Sequence, residues 1–141
     1  MKNLENLEKF INSELTSKIN NSFIKHDNIY LNIDHEELID VISFLKTSME
    51  TKFRQLIEIT AVDYPEAENR FKMVYLLLSH EYNHRIIIDY SIKESDVITS
   101  LTSIFPSANW MEREVFDMYG LKFKNHPDLR RILTDYGFEG H

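Results

Sequence analysis

Three runs rich in β-branched and aromatic residues follow one another in the middle of the chain: Gln55 to Val62, Phe71 to Ser79 and Arg85 to Ile92. Such residues suit a pleated, half-buried surface, and their alternation marks strands. The breaks between the runs are short and polar. Asp63-Tyr64-Pro65-Glu66 forms one loop and Tyr82-Asn83 the tip of the next connection, so the runs predict a three-stranded antiparallel meander. A sheet of this kind needs at least one covered face, and the flanking segments supply the cover.

Residues 3 to 18 place Leu4, Leu7, Phe10, Ile11 and Leu15 on one helical stripe. Phe23-Ile24 and Ile29 to Ile33 flank the polar residues 25 to 28, which reads as a short hairpin. Asp34, with Glu37 three residues later, is expected to cap a second helix whose stripe is Leu38, Val41, Ile42, Leu45 and Met49. Ser95 to Phe105 offers Val97, Ile98, Leu101 and Ile104 as a further helical face, and Pro106 discourages its continuation. From about Leu121 no periodicity of either kind is visible, so an extended C-terminal segment is expected. The resulting class is α+β and two-layered: N-terminal helices and a mainly antiparallel sheet with helices packed on one face. Residues 1 to 141 are read as a single domain.

A chain of 141 residues can bury roughly two-thirds of its unfolded surface. Its 43% hydrophobic and 12% aromatic content with 3 Gly and 3 Pro excludes a disordered chain. A formal charge of -7 argues against a general nucleic-acid or anionic-membrane surface. Zero cysteines exclude disulfides, cysteine nucleophiles and cysteine-ligated zinc or iron-sulfur centres in this sequence. No apolar run approaches the ~18 residues a membrane span needs, so no direct membrane insertion is expected. Met1 to Glu5 opens an amphipathic helix in place of a signal peptide, from which a soluble, intracellular chain is expected.

His80-Glu81-Tyr82-Asn83-His84 spells HExxH, in which two histidines one helical turn apart bind zinc and the glutamate activates water. That chemistry requires a helix. These residues lie between two strand-like runs, so a polar hairpin tip is the stronger reading and a zinc hydrolase using His80, Glu81 and His84 the weaker. The glycines Gly120, Gly137 and Gly140 form neither usual phosphate-cradling loop.

The densest chemistry lies from Trp110 to Leu133. Asn109 with Glu112 reads as a capping box, and Gly120 falls where a left-handed residue would end the helix. Trp110, Arg113, Glu114 and Asp117 share one face; Met111, Val115 and Met118 a second; Phe116 and Tyr119 a third. Arg113 and Asp117 are spaced to pair. Acid-base catalysis by Glu112, Glu114 and Asp117 is disfavoured, because neighbouring cations would neutralise them. Lys122, Lys124, His126, Arg130 and Arg131 follow directly, and an ion-pair network, internal or at an interface, is expected.

Glu112-Arg113-Glu114, then Asp117-Met118-Tyr119-Gly120, His126 and the run Arg130 to Phe138 resemble the hallmark of the 30 kDa subunit of complex I, the respiratory NADH-quinone oxidoreductase in which this polypeptide bears the letter C. Ile59 to Tyr64 and the hairpin Phe71 to Ile92 are similar to that family's preceding segment, so the resemblance spans at least residues 55 to 141, and the N-terminal helices match it only in kind. It implies a non-catalytic peripheral-arm subunit in a complex that passes electrons from NADH to quinone while moving protons. The implied partners are the large quinone-site subunit, lettered D, and the neighbouring cluster-bearing one, lettered B. FMN, iron-sulfur clusters and quinone would be held by other subunits and none by this chain. The place implied is the cytoplasmic side of the bacterial inner membrane, or the matrix side in a mitochondrion. Trp110, Glu112, Arg113, Glu114, Asp117, Tyr119, His126, Arg130, Arg131, Asp135 and Tyr136 carry the motif and are expected to serve assembly, with Arg113, Glu114, Asp117 and Arg130 in a charged network at or just beneath the contact with the quinone-site subunit. Family members usually continue past the equivalent of His141 with a proline- and charge-bearing tail. A stand-alone protein-binding module is the competing non-enzymatic reading.

Overall fold

The computed structural model describes residues 3–126. Helix α1 spans Leu4–Glu14, with the Asn3 side chain accepting from the Asn6 amide at its start. Strands β1 (Asn21–Lys25) and β2 (Asn28–Asn32) follow, then a 3₁₀ turn at His35–Glu37 and helix α2 (Leu38–Thr47). Strands β3 (Gln55–Asp63), β4 (Phe71–Ser79) and β5 (His84–Ile92) form the expected meander. A short strand β6 (Val97–Thr99), helix α3 (Ala108–Tyr119) and strand β7 (Lys122–Lys124) complete the described chain.

The β1–β2 hairpin turns through His26 and Asp27, whose φ angles of 52° and 62° are those of a two-residue turn twisted to match its strands. This hairpin then joins the meander: β2 pairs with β5 in parallel, Ile29 opposite Ile86 and Leu31 opposite Ile88. The strand order is β1-β2-β5-β4-β3. Sequence patterning finds both pieces and leaves their junction unread, because a parallel pairing between strands so far apart in the chain has no local signature.

Alternation decides which face is covered. Phe71, Met73, Tyr75 and Leu77 of β4 and Ile86, Ile88, Tyr90 and Ile92 of β5 are buried, while the residues between them are half-buried or exposed. Leu7 and Ile11 of α1 and Leu38, Val41, Ile42 and Leu45 of α2 belong to the same contiguous core. At about 25 cal/mol per Å² of apolar surface, this shared burial is the main favourable term in the fold.

Three local expectations change. Asp34 forms no side-chain cap; the 3₁₀ turn intervenes, and Asp34 instead accepts from Asn20 Nδ2 at 3.1 Å. Met49 leaves the α2 stripe because the helix ends at Thr47: Ser48 is extended, the Thr51 hydroxyl donates to the Leu45 carbonyl, and Met49 is 63% exposed. Ser95 to Phe105 is not helical. The β-branched run Val97-Ile98-Thr99 pairs in parallel with β7, Ile98 opposite Phe123, so inter-strand bonds replace helical ones. The segment from about 121 opens with β7, Leu121 and Phe123 being buried, and its residues 127–141 lie outside the described ones.

Candidate functional site

Helix α3 is the centre of the candidate site. Ala108, Glu112, Val115 and Phe116 face inward, and Gly120 closes the helix with φ 74°, the left-handed geometry a glycine adopts without a Cβ clash. The helix lies against β3, and the Tyr119 ring meets Phe71 edge-on at 5.6 Å. The predicted capping box is absent, since Asn109 is already inside the helix and the Glu112 carboxylate is engaged elsewhere.

Glu112 is fully buried. One carboxylate oxygen accepts the Ser100 hydroxyl at 2.6 Å and the other the Leu101 amide at 2.7 Å. The His126 ring, also buried, donates from Nε2 to the Asn109 carbonyl at 2.9 Å and stands 3.9 Å from Glu112 Oε1. Glu112 thereby fastens the turn after β6, α3 and the chain beyond β7 to one another. Burial pushes its carboxyl above the ordinary glutamate value, and the Ser100 and Leu101 bonds and the His126 ring oppose that push. No part of Glu112 or of the His126 side chain reaches the surface of the chain, so whatever they contribute to assembly goes through the position of α3 and not through direct contact. The periodicity of Glu112 carries a warning, because Ala108, Glu112 and Phe116 stand four apart on the inward face.

The Tyr75 and Tyr90 hydroxyls, from opposite strands, share a hydrogen bond of 2.7 Å in the core. Burial raises both phenols well above their usual range, and the Glu112 charge adds to it. Sequence reasoning misses this pair, although both residues occupy inward positions of alternating strands, where a hydroxyl needs a partner. Tyr75→Phe or Tyr90→Phe alone is expected to cost about 1 to 3 kcal/mol by orphaning the remaining hydroxyl, and the double variant much less than the sum. Urea unfolding of the three variants measures this coupling directly.

The outward face of α3 is a different surface. Trp110 and Met118 are 68% and 69% exposed, with Glu114 and Asp117 exposed beside them and Arg113 half-buried. The Arg113–Asp117 pair allowed by their spacing is not formed among the described residues. Of the face shared by Met111, Val115 and Met118, only Val115 is fully covered. Arg130, Arg131, Asp135 and Tyr136 lie outside the described residues.

The HExxH stretch is a hairpin tip. His80 ends beyond β4, its ring bonded to the Gln55 side chain; His84 begins β5, and Asn83 between them has φ 55°. Glu81 pairs with Lys52 at 2.9 Å and the Tyr82 hydroxyl donates to the Met49 carbonyl. The helical turn that would aim both imidazoles at one ion is not there. Among the described residues no three His, Cys, Asp or Glu side chains are grouped to hold a metal.

Residues 31–141 match the family described as the respiratory-chain NADH dehydrogenase 30 kDa subunit. The chain is 43% identical over 138 residues to the C subunit of the NADH-quinone oxidoreductase of Chelativorans sp. (strain BNC1), covering 98% of this chain and 69% of that protein. It is 52% identical over 118 residues to the corresponding protein of Dinoroseobacter shibae, covering 84% and 55%. Over 104 residues it is 57% identical to NADH dehydrogenase (ubiquinone) iron-sulfur protein 3 of Beta trigyna, covering 74% and 54%. The chain thus spans between half and about two-thirds of these relatives. Two solved structures share its fold: the trypsin-resistant fragment of Nqo5, with a TM-score of 0.75 at 24% identity over 91% of this chain and 99% of that one, and a chain of the archaeal membrane-bound sulfane sulfur reductase, with 0.76 at 21% over 86% and 71%.

Proposed function

This chain belongs to the family of 30 kDa subunits of respiratory-chain NADH dehydrogenase, and from that premise we propose that it is a scaffold of the peripheral arm of a proton-translocating NADH-quinone oxidoreductase. The observation that carries the reading is a family match over 31–141 combined with a helix whose buried face is internally satisfied and whose outward face is not. Glu112 and His126 are used up inside. Trp110, Met118, Glu114 and Asp117 remain available to a neighbour.

The partners in this reading are the quinone-site and cluster-bearing subunits, lettered D and B. The oxidoreductase chemistry belongs to the assembly: NADH, FMN, iron-sulfur clusters and quinone are held by other subunits, and the isolated chain has no activity. Although some relatives are named iron-sulfur proteins, this sequence holds 0 Cys, which leaves it without the thiolates that bind such clusters. Among the described residues no helix is long and apolar enough to cross a membrane. Attachment to the membrane is therefore through the complex, on the cytoplasmic or matrix side.

The test is to tag the chain, extract membranes in mild detergent and identify what copurifies. The quinone-site and cluster-bearing subunits at near-equal stoichiometry are the expected companions. Recovery of the chain alone, or with proteins of no respiratory complex, would overturn the proposal.

A further inference from the structure

We propose that the cleft between the outer edge of β3 and helix α3 receives an extended segment of a neighbouring subunit, one that carries lysine or arginine among apolar residues. This rests on the subunit reading above and adds to it where a partner lies and what its chemistry is. The cleft is lined by Ile59, Thr60 and Ala61 from β3 and by Glu114, Val115 and Met118 from α3. Successive residues of a strand point to opposite faces, so a cleft that touches three in a row runs along the edge of the strand. β3 is the last strand in the sheet order and has a strand neighbour on its β4 side only, among the described residues. An edge of that kind offers main-chain donors and acceptors to an added extended chain.

The helix side selects the occupant. Trp110 and Met118 stand two turns apart and are 68% and 69% exposed, with Glu114 midway between them. Large apolar anchors open to water beside a cleft are the composition of a protein-binding surface. The fully exposed charges beside them on α3 are Glu114 and Asp117, both acidic, and the half-buried Arg113 is the one cation on that stretch of helix, so the rim is net acidic. Its carboxylates repel an anionic lipid surface or a nucleic acid and favour a cationic peptide segment. Backbone pairing, two apolar anchors and a carboxylate rim together describe one ligand: an extended basic-apolar stretch.

A photoreactive benzophenone residue in place of Met118, in the full chain and in cells lacking the unsubstituted copy, tests this in the assembled complex. Incorporation is read on a native gel from the same membranes that are irradiated. The expected result is an adduct to a different subunit, mapped to a peptide with Lys or Arg among apolar residues, and the same peptide captured by a second probe placed at Trp110. Adding Glu114→Lys should lower the adduct yield about tenfold or more. An adduct to this chain's own residues 127–141, or to a second copy, overturns the inference. No adduct from a chain that has entered the complex also overturns it, while leaving the subunit reading intact. Failure of both probe-bearing and unsubstituted chains to enter any respiratory complex removes that reading and this inference together.

Discussion

Glu112→Ala is expected to destabilise the isolated chain by about 2 to 4 kcal/mol, because it leaves the buried Leu101 amide without its acceptor, takes the stronger of two partners from the Ser100 hydroxyl and opens a cavity in the core. The Ser100 hydroxyl and the Leu101 amide both donate to this carboxylate, at 2.6 and 2.7 Å, and the site has no exposure through which water could replace it. Glu112→Gln keeps one carbonyl oxygen as acceptor and carries no charge to desolvate, so it should cost far less. The two variants also separate by pH. The native carboxyl titrates above its ordinary value of 4.5, so between the two values the folded chain binds more protons than the unfolded one. Stability must then fall as pH rises from about 4.5 through the native value, by about 1.4 kcal/mol for each unit separating them. Urea unfolding across that window should show the slope in the natural sequence and its loss in Glu112→Gln. A slope that survives in Glu112→Gln would place the titrating group elsewhere.

The opposite pattern is expected on the outward face. Glu114→Ala and Asp117→Ala remove exposed side chains and should change the melting of the isolated chain by less than about 0.5 kcal/mol. In the assembly, a charge pair shut away from water loses about 2 to 5 kcal/mol when one member is removed. At about 1.4 kcal/mol per tenfold, that is roughly a thirtyfold or greater loss of affinity. Tagged variants should therefore melt normally and yet be depleted from the membrane-extracted complex. Arg113→Ala belongs in the same series, since its half-buried guanidinium forms no ion pair with Asp117 within the described chain. Normal incorporation of all three would mark this face as solvated surface, and unfolding of the isolated variants would mark the charges as internal.

The elements that can be read from sequence are those whose logic is local. Every second residue of β4 is buried, from Phe71 to Ser79, and that two-residue rhythm is visible in the letters. Gly120 can be placed as a helix end because only its backbone geometry matters there. Glu112 cannot. Three residues after Asn109 it satisfies a local spacing rule, but Ser100 and Leu101, more than ten positions away, compete for the same carboxylate and win because the fold buries both donors against it. The Val97 to Phe105 stretch fails in the same way: its helical stripe is real on paper, and pairing with Lys122–Lys124 overrides it. Of the residues expected to serve assembly, the letters separate polar from apolar and do not separate inside from outside.

The parallel pairing of β2 with β5 has a consequence for how the chain is made. Residues 28–32 leave the ribosome with their hairpin partner β1 already present, but their other neighbour, residues 85–89, is some sixty positions away. At about 5 to 20 residues per second of synthesis, Ile29 and Leu31 wait on the order of 3 to 12 seconds beside an open strand edge before β5 exists to receive them. During that interval the nascent N-terminal hairpin presents a paired strand, an apolar face and a vacant row of amides, which is the composition that recruits another hairpin like itself. Crowded translation of this one message therefore favours edge-to-edge pairing of neighbouring nascent chains, and slowing synthesis between codons 33 and 85 would lengthen the exposure that drives it.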